Sequence, residues 1–214
     1  MLASFRSTHT RGLSDLVIRT GEQDPTAREY SGITREFDDV IWYHGTDDGF
    51  GWPTAGYCLA IEDIVKRFPD YSYYMMLEDD CLLLKAGWDA WMIDQFESFP
   101  NRIGLIHLAS SIHALVASRE WIDALGFFQP PVLREHGFSG LLDLGEKSGY
   151  MVEGAGCPID HRPVSPDRGR PGFIFTGYPE TRAHWNEDEA ALTRWRSEEL
   201  PGLVSRLHEA RLKA

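Results

Sequence analysis

Three consecutive acids, Glu78, Asp79 and Asp80, close an apolar and aromatic run, Tyr73-Tyr74-Met75-Met76-Leu77. Carboxylates crowded at a strand end repel one another unless a cation or a set of donors is shared among them, which suits a hard divalent metal. Spacing alone leaves a second reading equally open, an acidic turn that only solubilises the end of the strand. Cys81 follows the triplet directly, but nothing near it in the sequence would activate a thiol, so it reads as packing.

The elements that must position these acids follow from periodicity and turn chemistry. The run Tyr73 to Leu77 reads as a strand buried on both faces, and the carboxyl edge of such a strand in an open α/β sheet is where ligands bind. Upstream, Asp15 to Arg19 and Asp39 to His44 read as strands. The first leaves through the polar loop Thr20 to Pro25, and the second through Gly45-Thr46-Asp47-Asp48-Gly49-Phe50-Gly51. Trp52-Pro53-Thr54 opens a helix whose apolar residues run to Phe68. Trp88, Trp91, Met92, Phe96 and Phe99 fit one face of a helix ending at Pro100, and strands are expected over 102–108 and 113–117. Ser118 suits an N-cap and Gly126 a stop for the short helix between them. A late strand, Tyr150 to Glu153, leads through a glycine-rich step to Asp160-His161-Arg162. Residues 163–177 read as a loop, and 187–213 as a charged helical tail broken at Pro201-Gly202 and packed on the outside.

A chain of 214 residues with 43% hydrophobic content is long enough for one substantial core and short for two. A net charge of -12 argues against an extended nucleic-acid surface, which needs clustered lysine and arginine. Three cysteines without metal-knuckle spacing fit a reducing, cytoplasmic setting. No window has the length of a transmembrane helix, and the start MLASFRSTHT lacks the apolar centre of a signal peptide.

The triplet, the apolar residues after it and then Lys85-Ala86-Gly87-Trp88-Asp89 resemble the metal-binding signature of GT-A glycosyltransferases, particularly small phage and bacterial members. The run from Ala114 to Gly145 resembles the same family in its strand, short helix, Pro-Pro pair and acceptor-side helix. The resemblance implies a single GT-A-like (Rossmann-like) α/β domain over 1–186 with a mixed, mainly parallel sheet, and a helical tail over 187–214. It implies a metal-dependent transfer of a sugar from a nucleotide-diphosphate sugar to a hydroxyl acceptor. Asp80 would be the direct ligand of Mn2+ or Mg2+, Glu78 and Asp79 would face the ribose or the metal's waters, and His161 would be a late further ligand. An imidazole beside carboxylates suits manganese better than magnesium. Asp24, with Glu22 second, would meet the nucleotide base, although without the resemblance Asp24-Pro25 reads first as an ordinary turn. Arg168 and Arg170 would meet the diphosphate if their loop is a lid, and would be solvated if it is a linker.

An inverting transferase, the expected type, also needs a carboxylate to take the acceptor's proton. At the matching stretch, His136 to Gly140, there is no acid; Glu135 and Asp143 flank it. If neither serves, the enzyme is retaining or inactive. Two rival readings are a catalytically inactive GT-A-like binding module and a metal-dependent phosphoesterase; the second lacks the further acids or histidines of a two-metal site. The family also begins with a strand that lies between the strands read here as Asp15 to Arg19 and Tyr73 to Leu77. Met1 to Arg6 resembles the end of a helix instead, so no strand is expected before Asp15. The two neighbours are then expected to close up, with Leu16 to Arg19 pairing directly to Tyr73 to Leu77.

Overall fold

Local sequence chemistry sets most element boundaries. In the computed structural model, residues 2–21, 32, 38–45, 53–77, 81–108, 114–133, 136–153, 159–161 and 179–213 are described. Within them the chain runs α1 (Leu2–Thr8), β1 (Leu16–Gly21), β2 (Val40–Gly45), α2 (Pro53–Arg67), β3 (Tyr73–Met75) and β4 (Cys81–Leu83). It continues with α3 (Trp88–Phe96), β5 (Leu105–His107), β6 (Leu115–Ser118), α4 (Arg119–Leu125) and α5 (Gly137–Ser148). It ends with β7 (Met151–Glu153), β8 (Ile159–His161), α6 (Pro179–Glu198) and α7 (Leu200–Leu212). This is a mixed α/β architecture. No strand precedes β1 among the described residues, and the first element is the helix α1.

The expected caps are in place. The Ser118 side chain accepts from the Trp121 amide at the start of α4, and Gly126 ends that helix at φ 87°. Gly87 enters α3 at φ 73°, a left-handed conformation that favours glycine.

The sheet expectation needs three corrections. First, the strands are mixed but not mainly parallel: β1–β2 and β5–β7 are parallel, whereas β3–β6, β5–β6 and β4–β8 are antiparallel. The connection 108–114 between β5 and β6 is too short for a parallel crossover, so these neighbours must run in opposite senses. Second, β1 and β3 do not pair: the strands group as β1-β2, β3-β6-β5-β7 and β4-β8 among the described residues. A cavity of about 410 Å³ separates β1 from β3, lined also by bulky side chains of the helices, among them Phe5, Ile64, Trp88 and Phe96. Third, β3 is not buried on both faces; Tyr74 is buried while Tyr73 and Met75 are half-buried, because one edge of the strand borders that cavity.

The core is centred on the four-stranded group. Leu105, Ile106 and Leu115 are fully buried, as are Trp121 of α4 and Leu141 of α5. Helix α5 lies close to the sheet at Gly145, where a Cβ would come within 2.9 Å of the Met151 Cβ and 3.0 Å of Leu105 Cδ2. The tail helices expose most of their residues and turn one apolar face inward. Trp195 of α6 and Leu203 and Leu207 of α7 are buried in the same core. Its break falls at Glu199, and Pro201 sits in the first turn of α7, where a missing amide costs nothing.

Candidate functional site

The acidic triplet, residues 78–80, lies outside the described residues, but its two flanks are placed. On one side β3 is held to β6 through Tyr74↔Ala117, and the Met76 amide donates to the Leu115 carbonyl at 3.3 Å. On the other side the chain enters β4, which the sequence reading missed, as it missed its partner β8. The two run antiparallel with Cys81↔His161, Leu82↔Asp160 and Leu83↔Ile159 in register. Directly opposed residues in such a ladder have Cα atoms about 4.5–5.5 Å apart. The backbone of His161 therefore stands against the residue that immediately follows Asp80. Cys81 is 1% exposed, in keeping with a packing role.

The amino-terminal helix braces this corner. Ser4 Oγ accepts from the Leu83 amide at 3.1 Å, and the Thr8 carbonyl accepts from the Gly87 amide at 2.7 Å. Asp89, in the first turn of α3, entered the sequence reading only as the last residue of the GT-A-like signature. Its carboxylate accepts from the Thr10 amide at 2.7 Å, the Thr10 hydroxyl at 2.8 Å and the Ser14 hydroxyl at 2.8 Å. Burial would raise the Asp89 carboxyl, but these bonds and the Ala90 amide outweigh it and hold its pKa below the ordinary aspartate value. Asp89 thus fixes the loop that leads into β1.

Two more acids, neither singled out by the sequence, hold the main chain before α5 in the same way. Glu62 of α2 accepts from the amides of Phe128 and Gln129 at 2.6 and 3.0 Å. Asp188 of α6, 6% exposed, accepts from the His136 amide at 2.6 Å, at the start of α5. A carboxylate taking main-chain amides of a distant segment leaves no local sequence signal.

Asp143, one of the two candidate bases, lies on α5 and takes an ion pair from Arg196 Nε of α6 at 2.6 Å. The pair ties the two helices together. At the carboxyl ends of β1 and β2, a Cβ on Gly45 would overlap the Arg19 guanidinium, so the two strands bring a cation to that edge. Tyr43 donates to Asp63 at 2.8 Å beneath it, and burial together with Asp63 pushes the phenol's pKa well up.

No family model, curated protein or solved structure matches this chain. The site rests on its own residues.

Glu22, Asp24, Glu78, Asp79, Asp80, Glu135, Arg168 and Arg170 lie outside the described residues, and His161 is placed by its backbone alone. Among the described residues, no group of three or more His, Cys, Asp or Glu forms a metal cluster, and no helix is long and apolar enough to cross a membrane.

Proposed function

We propose that this chain is a GT-A-like, metal-dependent glycosyltransferase that moves a sugar from a nucleotide-diphosphate sugar to a hydroxyl acceptor. The observation that carries the reading is the β4–β8 ladder. His161, proposed as a ligand, is paired in register with Cys81, the residue that follows the proposed ligands 78–80 in the sequence. Asp80, His161 and Glu78 are the residues assigned to Mn2+ or Mg2+, which when bound would neutralise charge growing on the diphosphate leaving group. Asp79 is left for the ribose or the metal's waters. Arg19, paired with Asp63 at 3.8 Å, lies on β1, and the segment carrying Glu22 and Asp24, where the nucleotide base is proposed to bind, follows that strand in the sequence.

A binding module without transfer is the second reading, favoured by the Asp143–Arg196 ion pair. A carboxylate engaged by a guanidinium is poorly placed to collect an acceptor's proton, which leaves Glu135 as the proposed base.

The test is manganese-dependent thermal stabilisation by nucleoside diphosphates and their sugars, since a ligand bound only to the folded state raises the melting temperature. Stabilisation that disappears in both Asp80→Asn and His161→Ala is expected. Equal stabilisation in the wild type and both variants would overturn the metal assignment. Sugar transfer or hydrolysis that persists in Asp143→Asn and is lost in Glu135→Gln would separate the transferase from the binding module and name its base.

A further inference from the structure

We propose that the folded chain holds His9 as an imidazolium, protonated on both ring nitrogens, and that this proton is a pH-operated latch fixing α1 to the starts of β1 and β2. The latch is independent of any chemistry at residues 78–80.

Donors and acceptors around the ring require the second proton. His9 directly follows α1, and its side chain is 7% exposed. Nδ1 lies 2.8 Å from the Phe5 carbonyl oxygen, and Nε2 lies 2.6 Å from an Asp39 carboxylate oxygen. A carbonyl and a carboxylate only accept, so each ring nitrogen has to donate. A neutral imidazole has a single N–H. Either of its tautomers would set a bare lone pair against an acceptor oxygen at hydrogen-bond distance, in a site with little access for water. The imidazolium alone makes both bonds.

The surroundings suit a cation. The Phe5 ring stacks on the imidazole with centroids 4.3 Å apart and planes 8° apart, which lays a negative π face against it. The ring also sits at the carboxyl end of α1, where outward carbonyls favour positive charge. Asp39, its side chain 23% exposed, supplies the opposite charge. The other titratable groups nearby are committed or exposed. From α3 comes Asp89, whose carboxylate is taken by Thr10 and Ser14. Arg6, Arg11, Asp15 and Asp38 are exposed, and β4 offers only the buried Cys81 thiol.

The grip reaches across several elements. The Asp39 carbonyl accepts from the Leu16 amide at 2.8 Å, so the residue that His9 holds already joins the starts of β1 and β2. On its other side, α1 accepts from the Leu83 amide through Ser4 and from the Gly87 amide through Thr8. When the ring gives up one proton, the bond to Phe5 or the bond to Asp39 is lost. The latch is therefore closed while the ring holds both protons, and it opens as pH rises.

The experiment uses the full chain, labelled with 15N, and long-range 1H–15N spectra of the imidazole rings from about pH 5 to about pH 9. An imidazolium gives two similar nitrogen shifts, whereas a neutral ring gives two that are far apart; His9→Gln identifies the signals. Exchange protection of the Leu83 and Gly87 amides, corrected for the intrinsic effect of pH, is followed in the same samples. Protection is expected to fall roughly tenfold as His9 changes from the charged to the neutral signature, the value of one charge-assisted hydrogen bond. Asp39→Asn keeps the shape and supplies an amide that donates to Nε2 of a neutral ring, so in this variant protection should no longer fall as pH rises. Protection that stays level while the wild-type ring becomes neutral would overturn the proposal, and this comparison stands whether or not a variant folds. An equal fall in the wild type and Asp39→Asn would also overturn it. So would an imidazolium that persists over the whole range, since that is a fixed cation and no latch.

Discussion

Asp89 shows how much of this chain's acidity is spent on holding main chain in place. Its carboxylate is 3% exposed and takes three hydrogen bonds from Thr10 and Ser14, up to 79 residues away in sequence. Asp89→Ala should destabilise the fold by about 3 kcal/mol, because it strands two hydroxyls and an amide at a partly buried site. The effect depends on pH in a definite sense. The folded carboxyl is held below the ordinary aspartate value of 3.8. Its contribution is therefore complete above that value and is lost as pH falls through the lower folded pKa. Urea unfolding of the wild type and Asp89→Asn between about pH 6 and pH 2.5 should show a stability gap that is widest at the upper end and narrows below the pKa of an unfolded aspartate. A gap that widens on acidification would contradict the assignment. The acid itself was legible at its helix start, but its donors come from a loop that no periodicity connects to it. Glu62 and Asp188 were illegible for the same reason. At the candidate metal site, the resemblance implied that His161 approaches the ion held by Asp80, whereas the strand pair that sets His161 opposite Cys81 was not legible.

Elements were legible in proportion to their length and to the strength of their caps. Ser118 and Gly126 bound α4 as the sequence predicts, whereas β4 and β8, three residues each, are too short to show alternation. Two glycines make a sharp test of how elements meet. Gly145 of α5 faces the sheet with 2.9 Å left for a Cβ before Met151, while Gly202 of α7 has nothing within 4 Å and is exposed. Alanine adds about 1 kcal/mol of helix propensity at either site. At Gly145 that gain is opposed by overpacking of about 1–3 kcal/mol, since Met151 and Leu105 belong to strands that cannot retreat cheaply. Gly145→Ala should therefore destabilise by about 1 kcal/mol, and Gly202→Ala should stabilise by up to about 1 kcal/mol. Denaturant midpoints of the two variants should move in opposite directions. Movement in the same direction would mean that α5 does not approach the sheet as closely as described.

At the scale of the whole molecule, the last helices expose most of their residues, as a tail packed on the outside would, yet each sends an apolar face into the core. Charge hides that face in the sequence: α6 carries acids and bases on most of its surface, which masks Leu192 and Trp195, 4% and 2% exposed. In α7 the apolar residues Leu200, Leu203 and Leu207 return at helical spacing and are all buried. The helix packs on α4, α5 and α6, and it is pinned at its end by the Asn101 side chain, which donates to the Arg211 carbonyl at 2.8 Å. His208 Nε2 lies 3.1 Å from the Ser148 carbonyl at the end of α5. Removing residues 200–214 would expose the partners of three leucines, each worth about 1.5–3 kcal/mol on burial. The sum is comparable to the whole stability of an ordinary domain, about 5–15 kcal/mol. The truncated chain should lose its cooperative thermal transition and bind a hydrophobic dye, while a chain with Leu212, 85% exposed, replaced by Ser should melt like the wild type. A tail that adds nothing to the core predicts the reverse for the truncation, an unchanged melting curve. Circular dichroism through the melt distinguishes the two, and retention of the transition without α7 would mean that the core closes over α4 and α5 by itself.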